Sequence, residues 1–307
     1  MVLAPDKQSN VRLLAESRIR PGNPFTQFIR KDIEQPISRR FEQIVDHDPA
    51  RIAVKVGDQT VTYGTLNNMA NRLAHALRSV DGVSNESVAL LVKNDVGTIA
   101  AILGITKAGK IFVPLDVSFS SAWAKFILQD TNTHIVLAGT DGLGLAKSWL
   151  TSTQILIDFE SLDAGWSGTN PETSTSADSL SQILYTSGTT GHPKGVMDNH
   201  RNMLHYVMRL GNVMHISPQD RMTLVRPASS AGALSNLYLA LLTGATILPV
   251  DLKRGRNYGV RLLRLNYLVQ PLDLPSGRII CLHPIAQPCE QGRECRYVSA
   301  KIGRHIA

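Results

Sequence analysis

Apolar side chains recur three or four positions apart in the stretch that follows Thr65, which is the spacing of one face of an α-helix. The apolar positions are Leu66, Met69, Ala70, Leu73, Ala74 and Leu77. Thr65 stands directly before them and is a residue type that caps helix N-termini, so we expect Thr65 to cap this helix. Packing against a hydrophobic core accounts for the whole apolar face.

Short apolar runs alternate with helical patterns along the middle of the chain. A helix is predicted from about Pro36, followed by a β-hairpin over residues 52–63. Further strands are predicted at residues 87–92, 111–115, 134–138 and 155–157, and helices at residues 96–108 and 120–129. Gly109 is predicted to end the first of these two helices. Strands that alternate with helices build βαβ units, so the pattern predicts an α/β fold with a largely parallel sheet.

A polar connection over residues 167–181 leads into a strand predicted at residues 180–185. The next segment reads Thr-Ser-Gly-Thr-Thr-Gly-His-Pro-Lys-Gly and carries the candidate chemistry. Its hydroxyl groups and backbone N–H groups can bind phosphate oxygens, its glycines allow close approach of a ligand, and its lysine adds a positive charge. The candidate nucleotide-binding residues are Thr186, Ser187, Gly188, Thr189, Thr190, Gly191 and Lys194.

Two other kinds of segment share part of this pattern. A flexible polar loop between two strands would also be rich in Gly, Ser and Thr, but it would not require the ordered string with Pro193 and Lys194. A Walker A loop places its lysine directly after a glycine and before a Ser or Thr at the start of a helix. Here Lys194 follows Pro193 and precedes Gly195, so the segment is not a P-loop of the NTPase kind.

The loop resembles the third core motif of the adenylate-forming superfamily, which includes acyl-CoA synthetases, luciferases and the adenylation domains of nonribosomal peptide synthetases. Other segments are similar to family motifs and occur in the family's order. Residues 62–67 resemble the TYxEL element, residues 103–116 the LKAGxAYVPLD element, and residues 241–245 the LLxGA element. The order and spacing are most similar to those of the peptide-synthetase branch. The resemblance covers about residues 36–252.

The resemblance implies an acetyl-CoA synthetase-like N-terminal domain. It also implies a reaction in which a carboxylic acid and ATP, with Mg²⁺, give an acyl or aminoacyl adenylate and pyrophosphate. Residues Thr186 to Lys194 would then hold the ATP phosphates. The activated acid would pass to the phosphopantetheine thiol of a carrier protein or to CoA.

Two departures from the family pattern bear on activity. In amino-acid-activating members an aspartate ahead of the LLxGA element holds the substrate's α-amino group, and that position is Ala231 here. Either the substrate is an acid without an α-amino group, or the pocket no longer works. Beyond about Leu252 the ribose-binding and catalytic-lysine elements are missing, so we expect a truncated adenylation domain with impaired activity, or a non-catalytic remnant that at most binds nucleotide.

Charge and cysteine distribution set residues 253–307 apart from the rest. The formal net charge of +7 lies entirely in this segment, which holds ten Lys and Arg against three Asp and Glu. A basic tail on a neutral body argues against nucleic acid as a partner. The cysteines Cys281, Cys289 and Cys295 do not have the spacing of a zinc site, so no metal site is predicted.

The expected organisation is an irregular segment over residues 1–35, a partial adenylation domain over residues 36–252, and an atypical basic tail over residues 253–307. A frameshift, a retained intron or a truncated gene would each produce such a tail. The sequence shows no apolar stretch typical of a signal peptide or of a membrane-spanning helix, so we expect a cytoplasmic protein without a membrane partner.

Overall fold

The structure is a computed structural model that describes residues 25–80, 86–162, 165–186, 194–250 and 279–280. Its α-helices are α1 Ile37–His47, α2 Tyr63–Ser79, α3 Val96–Lys107, α4 Ser121–Asp130, α5 Leu143–Trp149, α6 His200–Met214 and α7 Ala231–Leu241. Its strands are β1 Ile52–Val56, β2 Gln59–Thr62, β3 Ser87–Val92, β4 Ile111–Asp116, β5 Ile135–Ala138, β6 Ile155–Asp158, β7 Leu180–Thr186, β8 Lys194–Asn199, β9 Arg221–Leu224, β10 Thr246–Pro249 and β11 Ile279–Ile280.

The strands form two sheets rather than the single sheet that the alternating pattern suggested. One sheet has the strand order β6-β5-β3-β4-β7-β8, and the other has the order β11-β9-β10-β1-β2. Among the described strands, the pairs β1–β2 and β7–β8 are antiparallel and the other pairs are parallel. The prediction of an α/β fold with mainly parallel pairing is confirmed.

Helix α3 lies at the centre of the larger hydrophobic core, and β3 lies between this core and the second one. Every residue of β3 is buried, as expected for a parallel strand covered on both faces. Val88 and Leu90 face the larger core, whereas Ala89 and Leu91 face the smaller core beneath α4 and α5. Helix α3 ends where Gly109 adopts a φ of +71°, which confirms the predicted stop.

The start of α2 differs from the prediction. Thr62 is the N-cap, and its hydroxyl oxygen accepts a hydrogen bond of 3.1 Å from the backbone N–H of Thr65. Thr65 therefore lies inside the first turn, and Tyr63 begins the helix. The reason is that Tyr63 is fully buried and donates a hydrogen bond of 2.7 Å to the Ala245 carbonyl, which draws the first turn into the core.

Residues 165–179, which we call the strap, join β6 to β7 across one face of α2. The Asn71 side chain donates to the Gly168 carbonyl at 2.7 Å, and the Asn67 side chain donates to the Asn170 side chain at 2.8 Å. The polar connection predicted from the sequence is therefore held in place by side chains of a helix about 100 positions earlier.

A buried ion pair between α3 and α1 also contacts the strap. The Lys107 ammonium is fully buried and contacts the Glu42 carboxylate, whose side chain is 10% exposed. Lys107 also donates to the Asn170 side chain at 3.2 Å. Burial lowers the pKa of Lys107, and the hydrogen bond to Glu42 opposes that shift.

His200, the first residue of α6, joins that helix to α1. Its Nδ1 atom accepts a hydrogen bond of 3.2 Å from the backbone N–H of Ile37, and the side chain is buried. Burial lowers the pKa of His200 to about 4, so the ring is neutral at neutral pH.

Candidate functional site

The two ends of the predicted phosphate loop are brought together by the hairpin of β7 and β8. Thr186 and Lys194 are paired directly opposite each other at the end of this antiparallel ladder that leads into the loop. The intervening residues predicted to bind nucleotide lie outside the described residues; they are Ser187, Gly188, Thr189, Thr190 and Gly191. The structure thus positions the first and last members of the predicted set.

Thr186 and Lys194 project from the same face of the six-stranded sheet, because opposite residues in an antiparallel ladder share a face. Leu184, two positions before Thr186, lies on that face and is buried in the larger core. Both Thr186 and Lys194 are exposed. Among the described residues, no carboxylate or carbonyl group binds the Lys194 ammonium. The pair therefore presents a hydroxyl and a positive charge beyond the edge of the core.

The carboxyl end of β4 reaches the same edge of the sheet. Strands β4 and β7 are parallel, with Phe112 paired to Gln182, so Asp116 falls level with Thr186 four residues further on. The Asp116 carboxylate accepts a hydrogen bond of 2.6 Å from the Ser229 hydroxyl. Ser229 belongs to the loop between β9 and α7, so this bond joins the hairpin edge to the second sheet.

A second contact brings the carboxyl ends of the two sheets together. The Asn94 side chain, just after β3, lies 3.4 Å from the Leu224 carbonyl at the end of β9 and 3.4 Å from the Val250 carbonyl just after β10. Ligands of open α/β sheets bind in the crevice at the carboxyl ends of the strands. The arrangement therefore forms one site from elements of both sheets.

A cavity of about 360 Å³ opens between the end of β9, α6 and the start of α7. Its volume lies within the range of about 300–1,000 Å³ that is common for small-ligand pockets. Polar groups in its wall include the side chains of Tyr206, Arg226, Ser230 and Asn236. Burial raises the pKa of Tyr206, which keeps its hydroxyl protonated at neutral pH.

The first turn of α7 forms one side of this cavity and supplies no carboxylate. Ala231 and Gly232 are exposed, and Ser230 makes no side-chain cap to the helix. Among the described residues that line the cavity there is no aspartate or glutamate. An ammonium group placed there would find no carboxylate partner in the described wall.

Sequence reasoning did not single out Asn94, Asp116 and Ser229 as parts of the site. Each stands at or after the carboxyl end of a buried strand, which is a signal that polar residues at the edge of a parallel sheet can give. Their hydrogen-bond partners are 113 to 156 positions away in the chain, so no local pattern could pair them.

The sequence model of the AMP-binding enzyme family matches residues 41–263, which is more than half of the chain. The chain belongs to this family. Tyrocidine synthase 3 of Brevibacillus parabrevis is 32% identical to it over 221 residues. N-(5-amino-5-carboxypentanoyl)-L-cysteinyl-D-valine synthase of Amycolatopsis lactamdurans is 40% identical to it over 185 residues. These matches confirm the predicted relationship to the adenylation domains of peptide synthetases.

The shared region is a small part of those relatives. It is 71% of this chain but 3% of tyrocidine synthase 3, and 60% of this chain but 5% of the Amycolatopsis synthase. The family match continues to residue 263, eleven positions beyond the predicted end of the adenylation region. The three-part organisation of the chain stays a prediction.

Solved structures show the same fold in other family members. The chain superposes on the AMPPNP-bound nonribosomal peptide synthetase FmoA3 with a TM-score of 0.67 and 21% identity, covering 76% of this chain and 24% of that one. It superposes on the Klebsiella oxytoca NpsA N-terminal subdomain in complex with 3-hydroxybenzoyl-AMSN with a TM-score of 0.66 and 22% identity, covering 78% and 59% of the two chains. The predicted fold of an adenylate-forming N-terminal domain is confirmed.

Among the helices of the described residues, none is both long enough and apolar enough to cross a membrane.

Proposed function

We propose that this AMP-binding family chain binds ATP and a carboxylic acid next to each other, as the N-terminal part of an enzyme that activates the acid as an acyl adenylate. The observation that carries the proposal is the convergence of the Thr186–Lys194 pair and the cavity at the carboxyl ends of both sheets. The bond between Ser229 and Asp116 links these two parts. The solved relatives include one with bound AMPPNP and one with bound ATP, which supports a nucleotide as one ligand.

Lys194 is the residue we assign to the outer phosphates of ATP, together with Thr186 and residues 187–191 of the loop. Its exposed ammonium is placed at the loop's end and has no partner among the described residues. A cation directed at a polyphosphate makes charge-assisted hydrogen bonds, which are about twice as strong as neutral ones.

Mg²⁺ would enter this site with the nucleotide. The described residues contain no group of three His, Cys, Asp or Glu side chains that could hold a metal ion. Mg²⁺ commonly keeps several water ligands and binds through substrate phosphates, where it neutralises part of their charge. The described residues therefore fit a metal carried by ATP better than a metal cage built by the protein.

The acid would occupy the cavity beside α7. Because Ala231 stands where amino-acid-activating members have an aspartate, we propose an acid without an α-amino group. A buried ammonium without a counter-charge is costly, so an ordinary amino acid would bind poorly here. A substrate panel on the longest natural form of the protein tests this choice, and strong activation of common α-amino acids would contradict it.

In the proposed reaction a carboxylate oxygen forms a bond to the α-phosphorus of ATP while the bond to pyrophosphate breaks. Negative charge grows on the departing pyrophosphate, and the Lys194 ammonium would stabilise that charge. The adenylate would then be attacked by the thiol of a phosphopantetheine carrier or of CoA, with AMP as the leaving group.

The test of this function is ATP–pyrophosphate exchange by the purified chain with a broad panel of acids, beside calorimetry with ATP and AMP. Lys194→Ala should weaken ATP by about 10- to 100-fold, since a hydrogen bond to a charged group contributes about 1.5–3 kcal/mol. AMP should lose less, because it lacks the outer phosphates. Lys147→Ala, which removes an exposed lysine on α5, is the matched control and should leave both affinities unchanged.

Two outcomes would contradict parts of the proposal. Equal losses for ATP and AMP in Lys194→Ala would remove the assigned role of that lysine. ATP binding without acid-dependent exchange above the Lys194→Ala level would identify a chain that binds nucleotide and does not activate acids.

A further inference from the structure

Four aromatic side chains form a cluster near the loop end of the β7–β8 hairpin. This aromatic cluster consists of Phe119, Trp123, Phe126 and Tyr185. Trp123 and Phe126 stack on α4 with ring centroids 6.0 Å apart and an interplanar angle of 15°. The Tyr185 ring meets each of them edge-on, with centroid distances of 6.2 Å. Edge-to-face contacts of this kind stabilise a ring pair beyond the burial of its apolar surface.

The Tyr185 hydroxyl gives the cluster a second attachment to α4. It donates a hydrogen bond to the carboxylate of Asp130, the last residue of that helix. Burial, together with this carboxylate, raises the pKa of Tyr185, so the hydroxyl remains a donor at neutral pH. Ring contacts and a hydrogen bond therefore fix the orientation of one side chain at two points.

Tyr185 also controls the opposite strand of the hairpin. It is paired with Gly195, and a Cβ atom at Gly195 would lie 3.2 Å from the Tyr185 Cζ atom and 3.3 Å from its hydroxyl oxygen. The tyrosine ring thus lies over Gly195 and leaves little space for a side chain there. The next pair along the ladder is Thr186 with Lys194.

A slip of the hairpin by one residue would turn Lys194 to the opposite face of the sheet, because side chains alternate between faces along a strand. The contacts of Tyr185 with α4 on one side and with Gly195 on the other oppose such a slip. They act one residue away from the pair that begins and ends the phosphate loop.

We propose that Tyr185 is a positioning residue for phosphate binding, which fixes the register of the hairpin so that Lys194 and Thr186 face the nucleotide. This inference rests on the proposed binding of ATP. Tyr185 acts through the hairpin and contacts no nucleotide itself. Asp130 and the α4 aromatic rings supply the fixed support.

The experiment compares Tyr185→Ala, Tyr185→Phe, Asp130→Ala and the double variant Tyr185→Phe with Asp130→Ala against the natural chain. The matched control is Met197→Ala, which removes a 63%-exposed apolar side chain from the same face of the hairpin. Calorimetry gives the affinities for ATP and AMP, and circular dichroism checks that each variant is folded. In parallel, hydrogen exchange without nucleotide follows the backbone amides of residues 184–186 and 194–196.

Tyr185→Ala should weaken ATP by about tenfold or more, since a displaced Lys194 would lose a hydrogen bond to a charged phosphate, which contributes a factor of about 10 to 100 in affinity. AMP affinity should change much less. Tyr185→Phe and Asp130→Ala should each have a smaller and similar effect, and the variant that combines them should be no worse than either, because both remove the same hydrogen bond. The hairpin amides should exchange faster in Tyr185→Ala than in Met197→Ala.

If the natural chain binds ATP and the folded Tyr185→Ala variant binds it with equal affinity, Tyr185 has no positioning role. If the natural chain binds no ATP, the proposed function fails and hydrogen exchange decides the inference by itself. Equal exchange rates in Tyr185→Ala and Met197→Ala would then show that Tyr185 does not fix the hairpin, whereas faster exchange in Tyr185→Ala would support that it does.

Discussion

Acid should weaken this fold through one buried histidine at the junction of α1 and α6. His200 is 1% exposed, and its Nδ1 atom accepts a hydrogen bond from the Ile37 backbone N–H. Protonation would place a hydrogen on Nδ1 opposite that donor and would create a buried charge. Burial of the ring lowers the pKa of His200 in the folded chain from 6.5 to about 4.

The sign and size of the effect follow from this lowered pKa. Between pH 6.5 and pH 4 the unfolded chain binds a proton at His200 that the folded chain does not, so stability falls as the pH falls through this window. A difference of two to three pKa units corresponds to about 3 kcal/mol when the loss is complete. About 2 kcal/mol of it should be lost between pH 8 and pH 5.

Urea unfolding of the natural chain and of His200→Asn at several pH values between 8 and 5 measures this loss of stability. An asparagine oxygen replaces Nδ1 as the acceptor and does not titrate, so the pH dependence should become shallower by about 2 kcal/mol. His205→Asn changes an exposed histidine of the same helix and should leave the pH dependence as it is. Parallel curves of stability against pH for His200→Asn and the natural chain over this range would show that His200 does not cause the loss of stability in acid.

Two further predictions concern stability and are read from urea unfolding. Glu42→Gln should lower the free energy of unfolding by about 3–5 kcal/mol, because it leaves the fully buried Lys107 without its counter-charge. Asp141→Asn removes the 80%-exposed partner of Lys93 and should lower it by less than about 1 kcal/mol. Similar losses in both variants would contradict this difference. Gly109→Ala should cost about 1–3 kcal/mol because φ is +71° there, while Gly144→Ala, in a helix with open space at its Cβ position, should cost nothing or stabilise slightly. A neutral Gly109→Ala would mean that the turn tolerates a side chain.

Local patterns predicted the elements well where one cause dominated. The strand Ser87–Val92 was predicted with its observed bounds because burial on both faces leaves a continuous apolar run. The α2 cap was assigned to Thr65 instead of Thr62 because two threonines of similar capping ability are three residues apart. The burial of Tyr63, which decides between them, depends on a carbonyl 182 positions later in the chain.

The division into two sheets could not be predicted from periodicity, which identifies strands and not their neighbours. Val54 of β1 pairs with Ile247 of β10, which comes 193 positions later in the chain. This pairing places β1 and β2 in the second sheet and not in the first. In the candidate site, Thr186 and Lys194 were predicted from the loop's composition. The bond between Asp116 and Ser229 required the folded arrangement, since each residue alone resembles an ordinary polar residue at a strand end.

The strap over α2 has a consequence for the order in which the chain folds. Its hydrogen bonds to Asn67 and Asn71 close loops of about 100 residues, which is slow compared with the formation of the helix that carries them. During synthesis the residues of α2 therefore emerge about 100 positions before the strap that binds them. Strand β7 follows the strap directly, so we expect the hairpin that carries Lys194 to be among the late parts of the described fold to assemble.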